Sequence, residues 1–208
     1  MFTGANVKTM EITTEMVKEL RQVTGAGVLE AKKTLEASAG DFDKAVQILR
    51  EKGADRAAKR ADRDANEGII EVYSHPGNRV GVLLELNCET DFVARNEQFT
   101  DLAHNLVLQI AAMSPKYISI ENVSDEDMET ELSVLRAQAQ AEGKPENIVE
   151  KIVIGRMNKY YEEVCLLEQP YIRDESFKIK DLISEAVRTT GENIQVRRFE
   201  RYELGEAL

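Results

Sequence analysis

The sequence of 208 residues contains few of the side chains from which catalytic and metal sites are usually built: two histidines, two cysteines and no tryptophan. Cys88 and Cys165 are far apart in the chain and fit no metal-ligand spacing, so we expect two buried thiols rather than a disulfide or a zinc site. His75 and His104 are also far apart, and no phosphate-binding glycine motif or GxSxG sequence is present. The sequence therefore predicts no metal site, no cofactor and no catalytic residue.

The chain also has little positive charge and no long apolar run. Its 27 Lys and Arg residues against 38 Asp and Glu residues give a formal net charge of −11. Such an acidic chain is a poor match for nucleic acid or for an anionic membrane, and a protein partner or a small cation fits better. No apolar run reaches the roughly 18 residues that a membrane span needs, and the N-terminus lacks the order of a signal peptide. We therefore expect a soluble, cytoplasmic protein, whose hydrophobic content of 42% is enough for one large or two small domains.

The first quarter of the chain has helical periodicity. Residues 1–9 show no pattern and are expected to form a disordered tail. Residues 10–53 contain three apolar stripes of helical spacing that are separated by glycines, and Thr13 and Asp41 are the expected caps of the first and third helices. Residues 54–66 are rich in alanine and charge, which predicts a helical linker whose basic side chains either keep it soluble or face an acidic partner.

After the linker the apolar period changes from that of a helix to that of a strand. A turn at His75–Asn78 joins two strands, and a third strand covers residues 194–202. Between them the pattern predicts a helix after a corner at Thr90–Val93, and a long helical hairpin over about 124–165. We therefore expect an α+β fold in which residues 67–208 form a three-stranded antiparallel sheet packed with helices. Three strands cannot close into a barrel, so a second copy is expected to help cover the sheet, which favours a homodimer.

Several motifs of the sequence together resemble translation elongation factor Ts. They are the segments Val17–Arg21, Thr24–Gly27, Asn87–Ala94, Gly143–Pro145 and Arg197–Phe199. The resemblance covers nearly the whole chain from Met10, and it implies that residues 10–53 form a ubiquitin-associated-like three-helix domain. It also implies the function of a guanine nucleotide exchange factor, which binds the GTPase elongation factor Tu in its GDP-bound state and speeds the loss of GDP in protein synthesis.

The pattern of this family assigns the exchange to Thr90, Asp91, Phe92 and Val93. The resemblance implies that Phe92 wedges between helices of the GTPase and that Asp91 disturbs groups near its magnesium ion and phosphates. The residues alone leave two other roles open. A phenylalanine at a strand-to-helix junction is often part of the core, and an aspartate there is often a helix cap.

The resemblance implies two further contact regions. The N-terminal module of the family docks through an arginine of its first helix and two apolar residues after the Gly-Ala-Gly turn, which are Arg21, Val28 and Leu29 here. Some relatives have methionines at the last two positions, so the contact is expected to persist with an altered fit. One of the two apolar residues could instead belong to the core of the module. His75 matches a turn histidine that faces the partner in longer relatives, although a lone turn histidine is also often just solvated.

The sequence departs from the longer members of this family, because it has one copy of the sheet-bearing core where they have two. A second chain is therefore expected to supply the second copy, in a homodimer that binds two elongation factor Tu molecules. The final strand contains no cysteine, so this dimer is expected to be noncovalent. Two alternatives remain open: a binding adaptor without exchange activity, and a metal-dependent enzyme. The second would use Asp125, Glu126, Asp127 and Glu129, which have no histidine companion.

Overall fold

The structure is a computed structural model that describes residues 12–143 and 145–206, so the expected tail over residues 1–9 lies outside the described residues. Its helices and strands are α1 (Thr14–Thr24), α2 (Val28–Ala37), α3 (Phe42–Ala58), β1 (Glu67–Ser74), β2 (Val80–Cys88), α4 (Asp91–Ala94), α5 (Glu97–Met113), α6 (Asp125–Ala141), α7 (Glu146–Val164), β3 (Pro170–Tyr171), β4 (Asp174–Lys178), α8 (Ile179–Thr190) and β5 (Gln195–Glu203). In the described part of the chain, no helix has both the length and the apolar character needed to cross a membrane.

The chain divides into two compact units. The first unit contains the described residues up to Arg63 together with Ser184–Asn193. The second contains Asp64–Ile183 and the described residues from Ile194 onward. Helices occupy the N-terminal part and a three-stranded antiparallel sheet follows, so the expected α+β class is confirmed.

Helices α1, α2 and α3 form the body of the first unit. The Thr13 side chain accepts a hydrogen bond from the Met16 amide and caps α1, while Asp41 caps α3 in the same way through the Lys44 amide. Helix α1 ends at Thr24 and is capped by Gly25, whose φ of 59° is the left-handed conformation that glycine adopts easily. The small core shared by these helices consists of Val17, Leu20, Ala26, Ala31, Leu35, Ala45 and Leu49.

Helix α3 is longer than its glycine predicts. The sequence pattern ends this helix at Gly53, but the helix continues to Ala58 because the residues that follow are mostly good helix formers and one glycine costs only about 1 kcal/mol. Beyond the helix, the buried Asn193 side chain donates hydrogen bonds to the carbonyls of Ala61 (3.3 Å) and Arg63 (2.8 Å). The segment 54–66, which was expected to be a solvated linker, is therefore partly held by hydrogen bonds within the first unit.

The second unit is built on the sheet of β1, β2 and β5, in which β2 is the central strand and both pairings are antiparallel. Helix α5 packs against β1 and β2. Alternate residues of β2 face this helix and are buried, as the period of two predicts. The core here contains Val82, Leu84, Leu86 and Cys88 of β2 and Phe99, Leu102, Ala103, Leu106, Val107 and Ile110 of α5.

Helices α6 and α7 pack against each other as a hairpin. Their shared core consists of Leu135, Ala139, Val149, Val153 and Met157. At the base, the Tyr117 amide donates to the Val164 carbonyl and the Leu166 amide donates to the Tyr117 carbonyl, each at 2.9 Å. The pair of short strands β3 and β4 follows the hairpin. The sequence pattern does not predict this pair, because strands of two and five residues carry too little alternation to be recognised.

Candidate functional site

The segment Thr90–Val93 forms the corner between the central strand β2 and helix α5. The thiol of Cys88, the last residue of β2, donates to the Thr90 carbonyl at 3.2 Å. The Thr90 side chain accepts a hydrogen bond from the Val93 amide at 3.4 Å and caps the short helix α4, whose Ala94 is buried. The backbone of the corner is therefore fixed by residues on either side of Asp91 and Phe92.

The Phe92 side chain points into solvent and is 83% exposed. Phe99, in the first turn of α5, is by contrast fully buried. Phe92 is thus no core residue of this chain, and the possibility left open by its position at a strand-to-helix junction is excluded. A rigid aromatic ring held outside a well-packed corner is the kind of side chain that anchors protein interfaces, because little conformational entropy is lost when it is buried.

Asp91 is the other outward side chain of the corner. The cap of α4 is Thr90, so the carboxylate of Asp91 is not needed for capping. Its Oδ2 lies 3.1 Å from Arg95 Nη2, and the two side chains are 49% and 81% exposed. An ion pair this open to water is weak and can exchange its partner at little cost. The corner therefore presents an exposed aromatic ring beside a carboxylate that can change its contacts.

A second exposed surface lies in the first unit, at the turn between α1 and α2. We call Arg21, Val28 and Leu29 the α1–α2 patch. Val28 is 53% exposed and Leu29 is 74% exposed, while Ala31 and Leu35 of the same helix fill the core, so neither apolar residue of the patch is core. The Nε of Arg21 donates to the Ala26 carbonyl at 3.1 Å, which holds this side chain over the turn.

Both histidines lie against the same tyrosine. The hydroxyl of Tyr73 is 2.9 Å from Nδ1 of the exposed His75. His104 on α5 packs its ring edge-on against Tyr73, with centroids 6.4 Å apart, and its Nδ1 is 3.1 Å from Glu71 Oε1. The contact with Tyr73 leaves Nε2 as the nitrogen through which His75 can meet a partner. Strand alternation places Glu71 and Tyr73 on one face of β1, but nothing in the sequence identifies the helix residue that meets them.

The acidic residues at the start of α6 lie in the first turn of a helix that Ser124 caps. Ser124 donates from Oγ to Asp127 Oδ2 at 2.7 Å and caps the helix through the Asp127 amide. A hydrogen bond from the Tyr117 hydroxyl, together with the one from Ser124, lowers the pKa of Asp127. Within residues 12–143 and 145–206, no group of three or more His, Cys, Asp or Glu side chains is arranged to hold a metal ion. Asp125, Glu126, Asp127 and Glu129 therefore do not form such a group.

Comparison with known proteins decides the family. The family model described as Elongation factor TS matches residues 3–206. The chain belongs to the elongation factor Ts family. It is 56% identical to elongation factor Ts of Thermotoga petrophila over 95% of this chain and 98% of the relative. It is 53% identical to elongation factor Ts of Carboxydothermus hydrogenoformans over 95% of this chain and 91% of the relative. The family expected from the motifs is confirmed.

The chain also exposes the face of its sheet opposite α5. We call this surface the outer sheet face; its apolar residues are Ile70, Val72, Leu83 and Tyr202. Leu83 pairs across the strands with Val72, which brings the two side chains together on that face. Glu85 and Arg198 lie among them and form an ion pair of 2.7 Å across β2 and β5. The outer sheet face therefore combines these apolar side chains with one internally balanced charge pair and the exposed carboxylate of Glu200, which lies opposite Leu83.

Proposed function

We propose that this protein is a guanine nucleotide exchange factor for elongation factor Tu, which binds the GDP-bound GTPase and accelerates the release of GDP during translation elongation. The observation that carries the proposal is the exposed Phe92 ring at a fixed corner of a chain of this family. Membership of the family supports the partner, and the geometry of the corner supports the way in which the partner is engaged.

The proposed mechanism assigns different tasks to the two outward side chains of the corner. Phe92 inserts between helices of the GTPase, while Thr90 and Val93 hold the backbone that carries the ring. Asp91 leaves Arg95 and interacts with groups near the magnesium ion of the GTPase. Magnesium bridges the nucleotide phosphates and provides much of the affinity for GDP, so dislocating the ion or its ligands speeds nucleotide release.

The α1–α2 patch and His75 supply contacts outside the corner. Val28 and Leu29 offer exposed apolar surface, and Arg21 supplies a positive charge beside them. His75 adds a polar contact at the turn between β1 and β2. We assign these residues to docking, because none of them lies in the corner that carries Asp91 and Phe92. Their loss is expected to weaken binding more than the rate of release in the bound complex.

The function requires no bond chemistry in this protein. An exchange factor that binds the nucleotide-free GTPase more tightly than the GDP-bound form must lower the affinity for GDP by the same factor. The factor and the nucleotide are therefore mutual antagonists on one partner. On this proposal the protein is not an enzyme and needs no cofactor of its own.

The test is stopped-flow release of a fluorescent GDP from elongation factor Tu at saturating magnesium. Wild type is expected to accelerate release. Phe92→Ala is expected to reduce that acceleration by about thirtyfold or more, because truncating an interface anchor costs about 2 kcal/mol or more. The matched control is Ile154→Ala, which truncates another exposed apolar side chain of the second unit, 62% exposed on α7. This control is expected to behave as wild type.

The same experiment separates exchange from simple binding. If wild type binds elongation factor Tu but leaves the rate of GDP release unaltered, the protein acts as an adaptor and the exchange proposal fails. If Phe92→Ala accelerates release as well as wild type does, the corner is not the exchange element. Circular dichroism of each variant establishes that a loss of activity is not a loss of fold.

We further propose that two copies pair through the outer sheet face and that the homodimer binds two elongation factor Tu molecules. The exposed apolar residues of that face support this proposal, because an apolar surface that a single chain leaves open is typical of an interface. The Glu85–Arg198 pair balances two of the charges on this face. Glu200, opposite Leu83, also belongs to it, so the paired arrangement has to leave this carboxylate in contact with water or with a cation of the second copy.

A further inference from the structure

A buried arginine of α8 reaches the end of α1 in the first unit. The side chain of Arg188 is only 5% exposed, and its Nη2 donates to the Thr24 carbonyl at 2.5 Å. Thr24 is the last residue of α1, so its carbonyl has no partner within the helix. A cation at this position also interacts favourably with the negative end of the helix dipole. Arg188 therefore completes the C-terminus of a helix that lies 164 residues earlier in the chain.

The same guanidinium group lies close to the beginning of α2. Its Nη1 is 3.8 Å from the carboxylate of Glu30, which is also 2.7 Å from Arg56 of α3. Glu185 holds the guanidinium from its other side, with bonds of 2.9 Å to Nε and 2.5 Å to Nη2. Arg188 thus bridges the last residue of α1 and the first turn of α2. We call Arg188, Glu185 and Glu30 the Arg188 clamp.

The turn between the two clamped points is the one that carries the α1–α2 patch. Arg21 is held by the Ala26 carbonyl, two residues after Thr24. Val28 and Leu29 immediately precede Glu30 at the start of α2. All three side chains of the patch are thus connected to backbone that lies between, or directly beside, the two points that Arg188 contacts.

We propose that Arg188 is a positioning residue for docking, and that the Arg188 clamp holds the α1–α2 patch in the geometry that elongation factor Tu recognises. This inference rests on the proposed exchange function and assigns to it a residue outside every motif of the sequence. Arg188 itself is buried and does not touch the partner. Its effect is therefore on the affinity of the complex and not on the events at the Asp91 corner.

The experiment compares Arg188→Met with wild type in GDP release from elongation factor Tu at increasing concentrations of the factor. The methionine keeps most of the side-chain length and removes the guanidinium group. The half-saturating concentration is expected to rise by about tenfold, while the maximal rate at saturation stays within about twofold of wild type. Phe92→Ala is expected to differ by lowering the maximal rate as well, because the ring acts in the release step itself. Arg156→Met is the matched control, because it removes a guanidinium that pairs with Glu142 on the helical hairpin.

A double-mutant cycle with Leu29→Ala separates positioning from a general loss of stability. If Arg188 acts through the patch, the two substitutions remove the same contact and their effects on the half-saturating concentration are far from multiplicative. Independent, multiplicative effects would overturn the proposal, and so would a fall in the maximal rate with unchanged half-saturation. If Arg188→Met does not fold, Glu185→Gln replaces it, since it weakens the clamp while leaving the arginine in place.

Hydrogen exchange of the free protein provides a readout that does not depend on the GTPase. The amides of residues 24–31 are expected to exchange faster in Arg188→Met than in wild type, and Arg156→Met is expected to leave them unchanged. Unchanged exchange in Arg188→Met would show that the clamp does not hold this turn. If wild type fails to accelerate GDP release, the exchange proposal fails by itself and the hydrogen-exchange comparison still decides whether the clamp exists.

Discussion

Gly25 and Gly155 are two glycines of this chain whose surroundings differ completely. Gly25 has a φ of 59°, and a Cβ added there would overlap the Glu185 carboxylate and lie 2.9 Å from Arg188 Nη2. Gly155 is in the interior of α7, and a Cβ added there would meet nothing within 4 Å. Gly25 therefore needs to lack a side chain for two reasons: its backbone has a positive φ, and the side chains of the Arg188 clamp approach it closely. At Gly155 the absence of a side chain only lowers helix propensity.

Alanine substitutions at these two positions are expected to have opposite signs. Gly25→Ala is expected to lower the free energy of unfolding by about 1–3 kcal/mol or more, because it combines a strained φ with overlap against Glu185. Gly155→Ala is expected to raise it by about 0.5–1 kcal/mol. Urea denaturation followed by circular dichroism measures both changes. Equal effects in the two variants would mean that the Gly25 turn has no special geometry.

The residues of the corner show how far the sequence can predict a site. The family motif indicated the residues Thr90–Val93, and the alternating apolar pattern of β2 indicated that they follow the end of this strand. The exposure of Phe92 was not predictable from the pattern, because an aromatic residue at such a junction fits equally well in a core. Phe99, in the first turn of α5, is the aromatic residue of this region that is buried. Which of two nearby aromatic rings is buried depends on three-dimensional packing.

The base of the helical hairpin is held by an ion-pair cluster that joins three elements. Lys178, at the end of β4, lies 3.0 Å from Glu162 of α7 and 3.3 Å from Glu168. Lys180 of α8 lies 2.8 Å from the same Glu168. Burial alone would raise the pKa of Glu168, but the hydrogen bonds and charges of Lys180 and Lys178 outweigh it and hold that pKa below the usual 4.5. The cluster therefore favours the ionised form of Glu168.

This lowered pKa predicts an acid-sensitive contribution to stability. The contribution is fully present above the unfolded-state pKa near 4.5 and is lost as the pH falls through the lower pKa of the folded protein. Glu168→Gln is expected to melt at a lower temperature than wild type at neutral pH, and the difference is expected to shrink under acid. Thermal melts across this pH range measure it.

Glu150→Gln is the matched control for the hairpin cluster. Glu150 pairs with Arg136 at 3.5 Å on the same hairpin, but both side chains are largely exposed, so its loss is expected to change the melting temperature little at any pH. A difference between Glu168→Gln and wild type that stays constant as the pH falls would contradict the role given to the carboxylate. High salt is expected to reduce the difference at neutral pH.

At the scale of elements, the sequence predicts what depends on local periodicity and misses what depends on distant contacts. The helices, the β1–β2 hairpin and the helical hairpin follow from apolar spacing and caps such as Thr13 and Ser124. The Arg188 clamp does not follow from such local patterns. Arg188 belongs to an ordinary amphipathic helix, and the Thr24 carbonyl that it contacts lies 164 residues away. The same reason explains the fastening of Ala61 and Arg63 by Asn193.

At the scale of the whole molecule, the outer sheet face determines the expected assembly. The two cysteines, Cys88 and Cys165, are fully buried, and burial, assisted by nearby Glu168, raises the pKa of the Cys165 thiol to about 11. Neither thiol is placed to form a bond between chains. The proposed homodimer is therefore noncovalent, and its mass in light scattering is expected to be the same with and without a reducing agent.

A charge placed in the outer sheet face is expected to separate the two copies. Val72→Glu puts a carboxylate beside Leu83, where pairing would bury it without a cation of its own, so the mass is expected to fall to that of one chain. Ile154→Glu changes an equally exposed apolar residue of α7 and is expected to remain a dimer. A dimeric Val72→Glu would place the interface elsewhere on the molecule. A monomeric wild type would mean that no second chain supplies the second core copy. Each elongation factor Tu would then be bound through the Thr90–Val93 corner and the α1–α2 patch of one chain.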